Sequence, residues 1–325
     1  MRLSTDISRC SALRERSPAP ARQRGGGAPV KPPLGASLLA LALALALASC
    51  SNTAPGTWPA AAPAALLLLG EVHDNAAQPA QRLQRLQQAL ADGMRPALLM
   101  EQFDRERQPQ IDQMLADAPA ALPRSPAQVQ ALADQLVALA GGAQAGWDWA
   151  LYRPLIKLAL QQGLPLVAAN VSRGDARAVI QQGLAARGFE AAVPADILAV
   201  QAAAIQASHC GRVDATTARR MAQAQVARDQ FMARQLVAHA GRGAVLLAGN
   251  GHVRKDHGVP RWLPPELQAR SRVIGFLEAD AAQDAGAFDE VVPSPPQPRD
   301  DPCAAMRRVP LPAPGALTGA AGRGG

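Results

Sequence analysis

The stretch that decides the fold is Leu66-Leu67-Leu68-Leu69-Gly70-Glu71-Val72-His73-Asp74-Asn75, where an apolar run ends at a glycine and polar residues follow at once. An apolar run of this length, closed by glycine and followed by helical spacing, predicts a buried parallel strand. Polar groups just past such a strand lie at the carboxyl edge of the sheet, where open α/β folds bind their ligands. The same strand-Gly-x-x-His pattern recurs at 244–252.

Apolar runs alternate with segments of helical spacing along the chain. Strands are predicted at 66–70, 97–100, 164–170, 244–249 and 272–277, with an edge strand at about 288–292. Such alternation with short turns predicts an α/β fold, in which helices flank a mostly parallel central sheet. The domain is predicted to span 65–293. The proline-punctuated block at about 104–145 is predicted to be a helical insertion over the carboxyl edge of the sheet.

The first 64 residues predict export and lipid anchoring. A basic leader precedes the Leu/Ala run 38–48, which is too short to span a bilayer comfortably, and small residues follow it. Cys50, directly after Leu-Ala-Ser, resembles the bacterial lipobox. We therefore expect a signal peptide at 1–49, a lipidated Cys50 and a flexible tether to residue 64. Ser51 in place of Asp favours the outer membrane. The alternative is an ordinary signal peptide with an incidental cysteine.

Charge and cysteine content limit the possible partners of the chain and predict a disulfide. The leader contains seven of the 33 basic and two of the 26 acidic residues, so the remainder has 26 basic and 24 acidic residues, a net of +2. This balance, with little aromatic content, excludes nucleic acid as a partner. Cys210 and Cys303 remain after the leader and Cys50, and an oxidising periplasm favours a disulfide between them. It would tie the Pro/Gly-rich tail, 294–325, to the domain.

Polar clusters follow four of the predicted strands, and a parallel sheet would bring them to one edge. One interpretation makes His73 and His252 ligands of a divalent metal or a cofactor, with Glu71 or Glu101 as a further ligand or general base. The other has these groups bonding one another and capping helices. The full set of candidates also includes amide and guanidinium side chains that follow the third and fourth of these strands: Asn170, Arg173 and Asn250. No His-Glu-x-x-His segment is present, which excludes the helix-borne zinc protease type.

Tyr152 is the only tyrosine in the chain. It lies close to Trp147 and Trp149, so ordinary packing is one interpretation of it. A tyrosine oxygen can also ligate haem iron. Any tyrosine-ligated arrangement in this chain has to use Tyr152.

These motifs together resemble the ChaN-type haem-binding lipoproteins of the Tiki and TraB superfamily. The resemblance runs from about 66 to 276 and rests on Gly70-Glu71-Val72-His73, Met100-Glu101-Gln102-Phe103, Trp147-Asp148-Trp149 with Tyr152, Ala169-Asn170, Gln225 with Arg228-Asp229, and Gly249-Asn250-Gly251-His252. It implies an α/β domain with a helical subdomain, and haem held at a dimer interface by a tyrosine with a histidine from the partner. The ligand tyrosine would be Tyr152.

The leading hypothesis is an outer-membrane lipoprotein that binds haem or an iron compound for iron acquisition, without turnover. Its candidate partners are haem, the membrane through the lipid anchor, a second copy of the chain and an outer-membrane receptor. One alternative is a metal-dependent hydrolase that uses His73 and His252 as ligands and Glu71 or Glu101 as base. Another is a non-catalytic assembly factor of the envelope.

Overall fold

The computed structural model describes residues 66–118, 122–142, 146–279, 286–301 and 303–304. These residues all belong to one compact unit, Thr57–Gly325. The predicted signal peptide, Cys50, the tether and the tail from 305 onward lie outside the described residues. None of the helices in the described part of the chain is long and apolar enough to cross a membrane.

The described residues form an α/β fold with a single parallel sheet, which confirms the predicted fold class. Its strands are β1 (Leu66–Leu69), β2 (Ala97–Asp104), β3 (Leu166–Asn170), β4 (Ala244–Leu247), β5 (Ser271–Glu278) and β6 (Glu290–Ser294). Their order across the sheet is β3-β2-β4-β1-β5-β6, and every pair of neighbours is parallel. The four strands that precede the predicted polar clusters are therefore consecutive neighbours.

Helices cover both faces of the sheet. In chain order they are α1 (Gln78–Ala91), α2 (Gln108–Asp117), α3 (Pro126–Leu139), α4 (Trp149–Gln162), α5 (Arg173–Gln182), α6 (Ala195–Ser208), α7 (Ala215–His239), α8 (Asn250–Val253) and α9 (Pro265–Gln268). The segment predicted as a helical insertion contains α2 and α3. Ile111 of α2 and Leu136 of α3 pack into the core on one side of the sheet.

Side chains of each strand alternate between two cores because the strand period is two. Leu67 and Leu69 of β1 pack with Leu86 of α1 and Leu155 of α4 on one face. Leu66 and Leu68 pack on the other face, with Met232 and Leu236 of α7. Because β1 is covered on both faces, it needs apolar side chains at every position, which is why the deciding stretch is an unbroken run of leucines.

The predicted end of β2 is wrong. The strand was expected to end at Met100, but it continues to Asp104, where it pairs with Asn170 across a shift in register after Met100. Glu101 therefore lies within the strand, near its carboxyl end. Helix α4 starts at Trp149, because the Asp148 side chain accepts a hydrogen bond from the Ala150 N–H and caps the helix.

The C-terminal segment is joined to the domain at two points. A disulfide links Cys303 to Cys210 in the turn between α6 and α7, with their Cα atoms 5.6 Å apart. Arg299 donates to both Asp74 carboxylate oxygens at 2.6 Å and to Glu278 at 2.8 Å. The segment therefore runs along the residues that follow β1 and β5.

Gly258, in the loop after α8, is predicted to be the glycine least tolerant of a side chain. A Cβ there would lie 2.2 Å from the His252 carbonyl oxygen and 2.8 Å from that of Arg254. Because backbone cannot move aside cheaply, Gly258→Ala should lower the free energy of unfolding by about 1–3 kcal/mol. Denaturant unfolding measures it. Gly251→Ala is the matched control, since nothing lies within 4 Å of its Cβ, and equal losses in both variants would contradict the prediction.

Candidate ligand-binding site

A cavity of about 950 Å³ opens at the carboxyl ends of β1 to β4. It lies where the strand order brings four chain segments together, as parallel α/β folds favour. The two imidazoles of the Gly-x-x-His motifs line it. The residues that line it include His73, Asp74, Glu101, Gln102, Asp104, Arg107, Trp147, Asn170, Arg173, Gln225, Arg228 and His252.

Glu71 lies just beneath the cavity, and its carboxylate is surrounded by donors. Its side chain is only 2% exposed. Arg82 forms an ion pair with one carboxylate oxygen. The Tyr152 hydroxyl donates to the other oxygen at 2.8 Å, and His73 Nδ1 lies 2.8 Å from that same oxygen. Because an ionised carboxylate only accepts hydrogen bonds, this contact with an ionised Glu71 requires the His73 proton on Nδ1.

His73 lines the cavity, and its other ring nitrogen, Nε2, is not bonded to Glu71. The side chain is 44% exposed, and Nε2 lies 3.9 Å from Glu101 Oε2. The Trp147 ring holds the imidazole edge-on, with ring centroids 4.9 Å apart. Gly249 lies close to Nε2, since a Cβ at that position would be 2.9 Å from it. His73 is thus held by Glu71 and Trp147, and its side chain remains partly exposed at the cavity.

Glu101 connects the two histidines. Its Oε1 lies 3.6 Å from His252 Nε2, and its Oε2 accepts the Gly249 N–H at 2.8 Å. Burial pushes the pKa of Glu101 upward. The His252 and His73 imidazoles and the Gly249 N–H outweigh burial, so the pKa lies below its usual value.

His252 is held from the opposite side by Asp229 of α7. Its Nδ1 lies 2.6 Å from Asp229 Oδ1, and Gln201 donates to the second oxygen of Asp229 at 2.9 Å. Burial lowers the pKa of His252, but the Asp229 and Glu101 carboxylates exceed that effect and raise it above its usual value. The cavity therefore contains one imidazole backed by Glu71 and another backed by Asp229.

Basic side chains also line the cavity. Arg107, Arg173 and Arg228 are among the lining residues, and their charges act on the half-buried Asp104. Burial raises the pKa of Asp104, while the three guanidinium groups oppose the rise. Arg228 is oriented by the Asn170 side-chain oxygen, at 3.2 Å from Nε, and by that of Gln225, at 3.3 Å from Nη1. These guanidinium groups suit a ligand that carries carboxylates.

The structure divides the predicted site residues into two groups. His73, His252, Glu101, Asn170 and Arg173 line the cavity. The other three do not line it: Glu71, Tyr152 and Asn250.

Two of these three are turned into the fold. The Asn250 side chain donates to the Phe276 carbonyl oxygen at 2.7 Å, and so helps to hold β5. Tyr152 is 0% exposed, and burial raises its pKa to about 12. Its hydroxyl is bonded to Glu71. In this arrangement Tyr152 offers no oxygen to a ligand in the cavity.

Arg82 is the residue of this site that the sequence analysis missed. A charged side chain in a helix normally lies on the polar face, yet Arg82 is 0% exposed. It precedes the buried Leu86 by four residues, so the two share a face, and this spacing was the available signal. Asp229 was quoted only as part of a motif, and nothing local marks it as the partner of His252.

The predicted metal site has a weaker basis than the cavity as a whole. Within the described ranges, no group of three or more His, Cys, Asp or Glu side chains is arranged to hold a metal ion. His73 and His252 each have one nitrogen committed to a carboxylate, and Glu101 accepts a backbone N–H. The hydrolase and assembly-factor hypotheses stay predictions.

Comparison with known proteins identifies the family. The sequence model of the family described as haem-binding uptake, Tiki superfamily, ChaN matches residues 57–263, which is more than half of the chain. The chain belongs to this family. No curated protein matches it.

A solved structure of a ChaN protein has a similar fold. The structure described as cofacial heme binding to ChaN of Campylobacter jejuni superposes with a TM-score of 0.53 at 17% identity, over 66% of this chain and 82% of that one. The type III effector HopBA1 gives a TM-score of 0.39 at 13% identity, over 72% and 88%. A Bacillus cereus protein gives 0.32 at 12% identity, over 67% of each chain.

Asp229 is predicted to control the charge of His252. Asp229→Asn should lower the pKa of the His252 imidazole, because the nearest carboxylate charge is lost. NMR titration of the His252 ring protons measures it. In the native chain the raised pKa stabilises the fold below the unfolded-state pKa, and this stability is lost as pH rises through the folded-state pKa; the variant should lack that dependence. Glu266→Gln, an exposed carboxylate on α9, is the control, and an unchanged titration in Asp229→Asn would contradict the prediction.

Proposed function

We propose that this chain binds haem in the cavity at the carboxyl edge of the sheet. The observation that carries the proposal is the lining of that cavity, which combines two imidazoles with three guanidinium groups. Such a combination suits a ligand with both a metal centre and carboxylates. Membership of the haem-binding uptake family supports it.

The imidazoles fit the iron of haem. A histidine nitrogen is a common axial ligand of haem iron, and the His73 side chain lines the cavity and is 44% exposed. The volume of about 950 Å³ lies within the usual range for cofactor sites, about 300–1,000 Å³. Trp147 adds an aromatic wall beside His73. Bound haem would supply the iron chemistry, and the protein would hold, orient and shield it.

The guanidinium groups that line the cavity fit the two propionates of haem. Guanidinium groups bind carboxylates through short, charge-assisted hydrogen bonds. Arg228 is already oriented by Asn170 and Gln225, which lowers the entropy cost of binding. Arg107 is exposed and lines the cavity, so its guanidinium is accessible to a carboxylate of the ligand.

Haemin titration into the full-length, detergent-purified chain tests the proposal. The visible spectrum should change saturably, and molar mass recorded in parallel reports whether a second copy joins. Arg107→Gln should weaken haemin binding roughly tenfold, the usual cost of one charged hydrogen bond. Arg219→Gln, an exposed arginine at the start of α7, should leave it unchanged. A spectrum that never saturates would refute haem binding.

Haemin dimethyl ester separates the carboxylate contacts from the rest of the pocket. Because its propionates are blocked, the ester should bind the native chain more weakly than haemin does. It should also bind Arg107→Gln and the native chain equally. If the native chain binds the ester and haemin equally well, the arginines do not contact the propionates, and the prediction is wrong.

We also propose that the chain is a lipid-anchored envelope protein, on the outer membrane, that serves iron acquisition. Cys50 after Leu-Ala-Ser is the support for the anchor. Labelled palmitate supplied to expressing cells should be incorporated into the native chain and not into Cys50→Ser. Cys10→Ser is the matched control, because Cys10 lies within the predicted signal peptide. Equal labelling of Cys50→Ser and the native chain would contradict lipidation at Cys50.

A further inference from the structure

We propose that His73 is the haem-iron ligand of this chain, and that Tyr152 is a positioning residue that acts on His73 through Glu71. The proposal rests on the haem-binding function proposed above and assigns its ligand. It departs from the tyrosine ligation that the family resemblance implies.

Tyr152 is buried, and its hydroxyl is not accessible to a ligand in the cavity. Its side chain has no exposed surface, and its hydroxyl donates to Glu71 at 2.8 Å. The rings of Trp147 and Trp149 pack edge-on against it, with centroids at 5.7 and 6.2 Å, and the Arg82 guanidinium lies 5.9 Å from its ring centre. To reach the cavity it would have to abandon Glu71 and displace Trp147.

His73 has the opposite arrangement. It lines the cavity, its side chain is 44% exposed, and Nε2 is the ring nitrogen that is not bonded to Glu71. With the Nδ1 proton donated to Glu71, Nε2 keeps the lone pair that binds a metal. Metal-binding histidines usually have such a carboxylate on the second nitrogen, which fixes the tautomer and the ring orientation. His252 is less suited, because it is only 14% exposed.

Arg82 and Tyr152 together hold the Glu71 carboxylate in place for His73. Arg82 occupies one oxygen, and Tyr152 shares the other with His73. In the described part of the chain, Nε and Nη2 of Arg82 have no hydrogen-bond partner. Burying a guanidinium that has one hydrogen-bonded partner costs folding free energy. We therefore infer that Arg82 is placed here to hold the Glu71 carboxylate.

The ligand assignment is tested by the spectra of haemin-loaded variants. Tyr152→Phe should keep the band positions of the native complex and lose less than about tenfold in affinity, because only a remote support is removed. His73→Ala should change the bands and weaken binding by more than about tenfold. Ser294→Ala, which removes another buried hydroxyl, and His239→Ala, at the end of α7, are the matched controls.

Two results would overturn the assignment, and they differ in what else they overturn. A phenolate-to-iron charge-transfer band that is present in the native complex and lost in Tyr152→Phe would make Tyr152 the ligand and leave haem binding intact. A native chain whose spectrum never saturates with haemin would overturn the assignment together with the proposed function.

The positioning role is tested without haem. Nitrogen-15 NMR of the ligand-free chain should show His73 as the Nδ1–H tautomer. The double variant Glu71→Leu/Arg82→Leu removes both charges of the buried pair, a change that folds usually tolerate better than loss of one partner. There His73 should become a mixture of tautomers. A folded double variant that keeps the Nδ1–H tautomer would show that the pair does not position His73.

Discussion

A buried carboxylate, that of Glu71, is the group on which the other site contacts depend. Removing one partner of a buried ion pair costs about 3–5 kcal/mol, because the remaining charge is left without compensation. Arg82 supplies that compensation, and burial lowers the pKa of its guanidinium only to about 10, so it stays cationic at neutral pH. Tyr152 and His73 complete the carboxylate's bonds. A pair this costly sits under an exposed imidazole, and we interpret it as support for that imidazole.

The sheet explains why these groups meet. Strands β3, β2, β4 and β1 are neighbours, so polar residues far apart in sequence reach one edge. Glu101, near the end of β2, lies between the histidines that follow β1 and β4. Helix α7 contributes a second support, since Asp229 backs His252 much as Glu71 backs His73. Each histidine of the two Gly-x-x-His motifs is thus held by a carboxylate.

Much of this arrangement could be predicted, and the misses have physical causes. Unbroken leucines and the paired glycines mark β1 and β4, because burial on both faces demands apolar residues at every position. The end of β2 was missed because polar residues normally stop a buried strand, and here pairing with β3 carries it on to Asp104. Arg82 was missed because a charged side chain on an apolar face is rare unless a partner compensates it, and its partner, Glu71, lies outside the helix.

By itself, the sequence determined which segments are strands and helices and which polar residues follow each strand. Hydrophobic period and glycine are local signals, and both are visible in the chain. Only the tertiary structure decided the order of the strands and the direction of each polar side chain. Glu71, Tyr152 and Asn250 look like cavity residues in sequence, yet they face inward, because their partners, Arg82 and Phe276 among them, are set by packing between distant elements. Which residue faces a ligand, and which supports it from behind, is decided at that level.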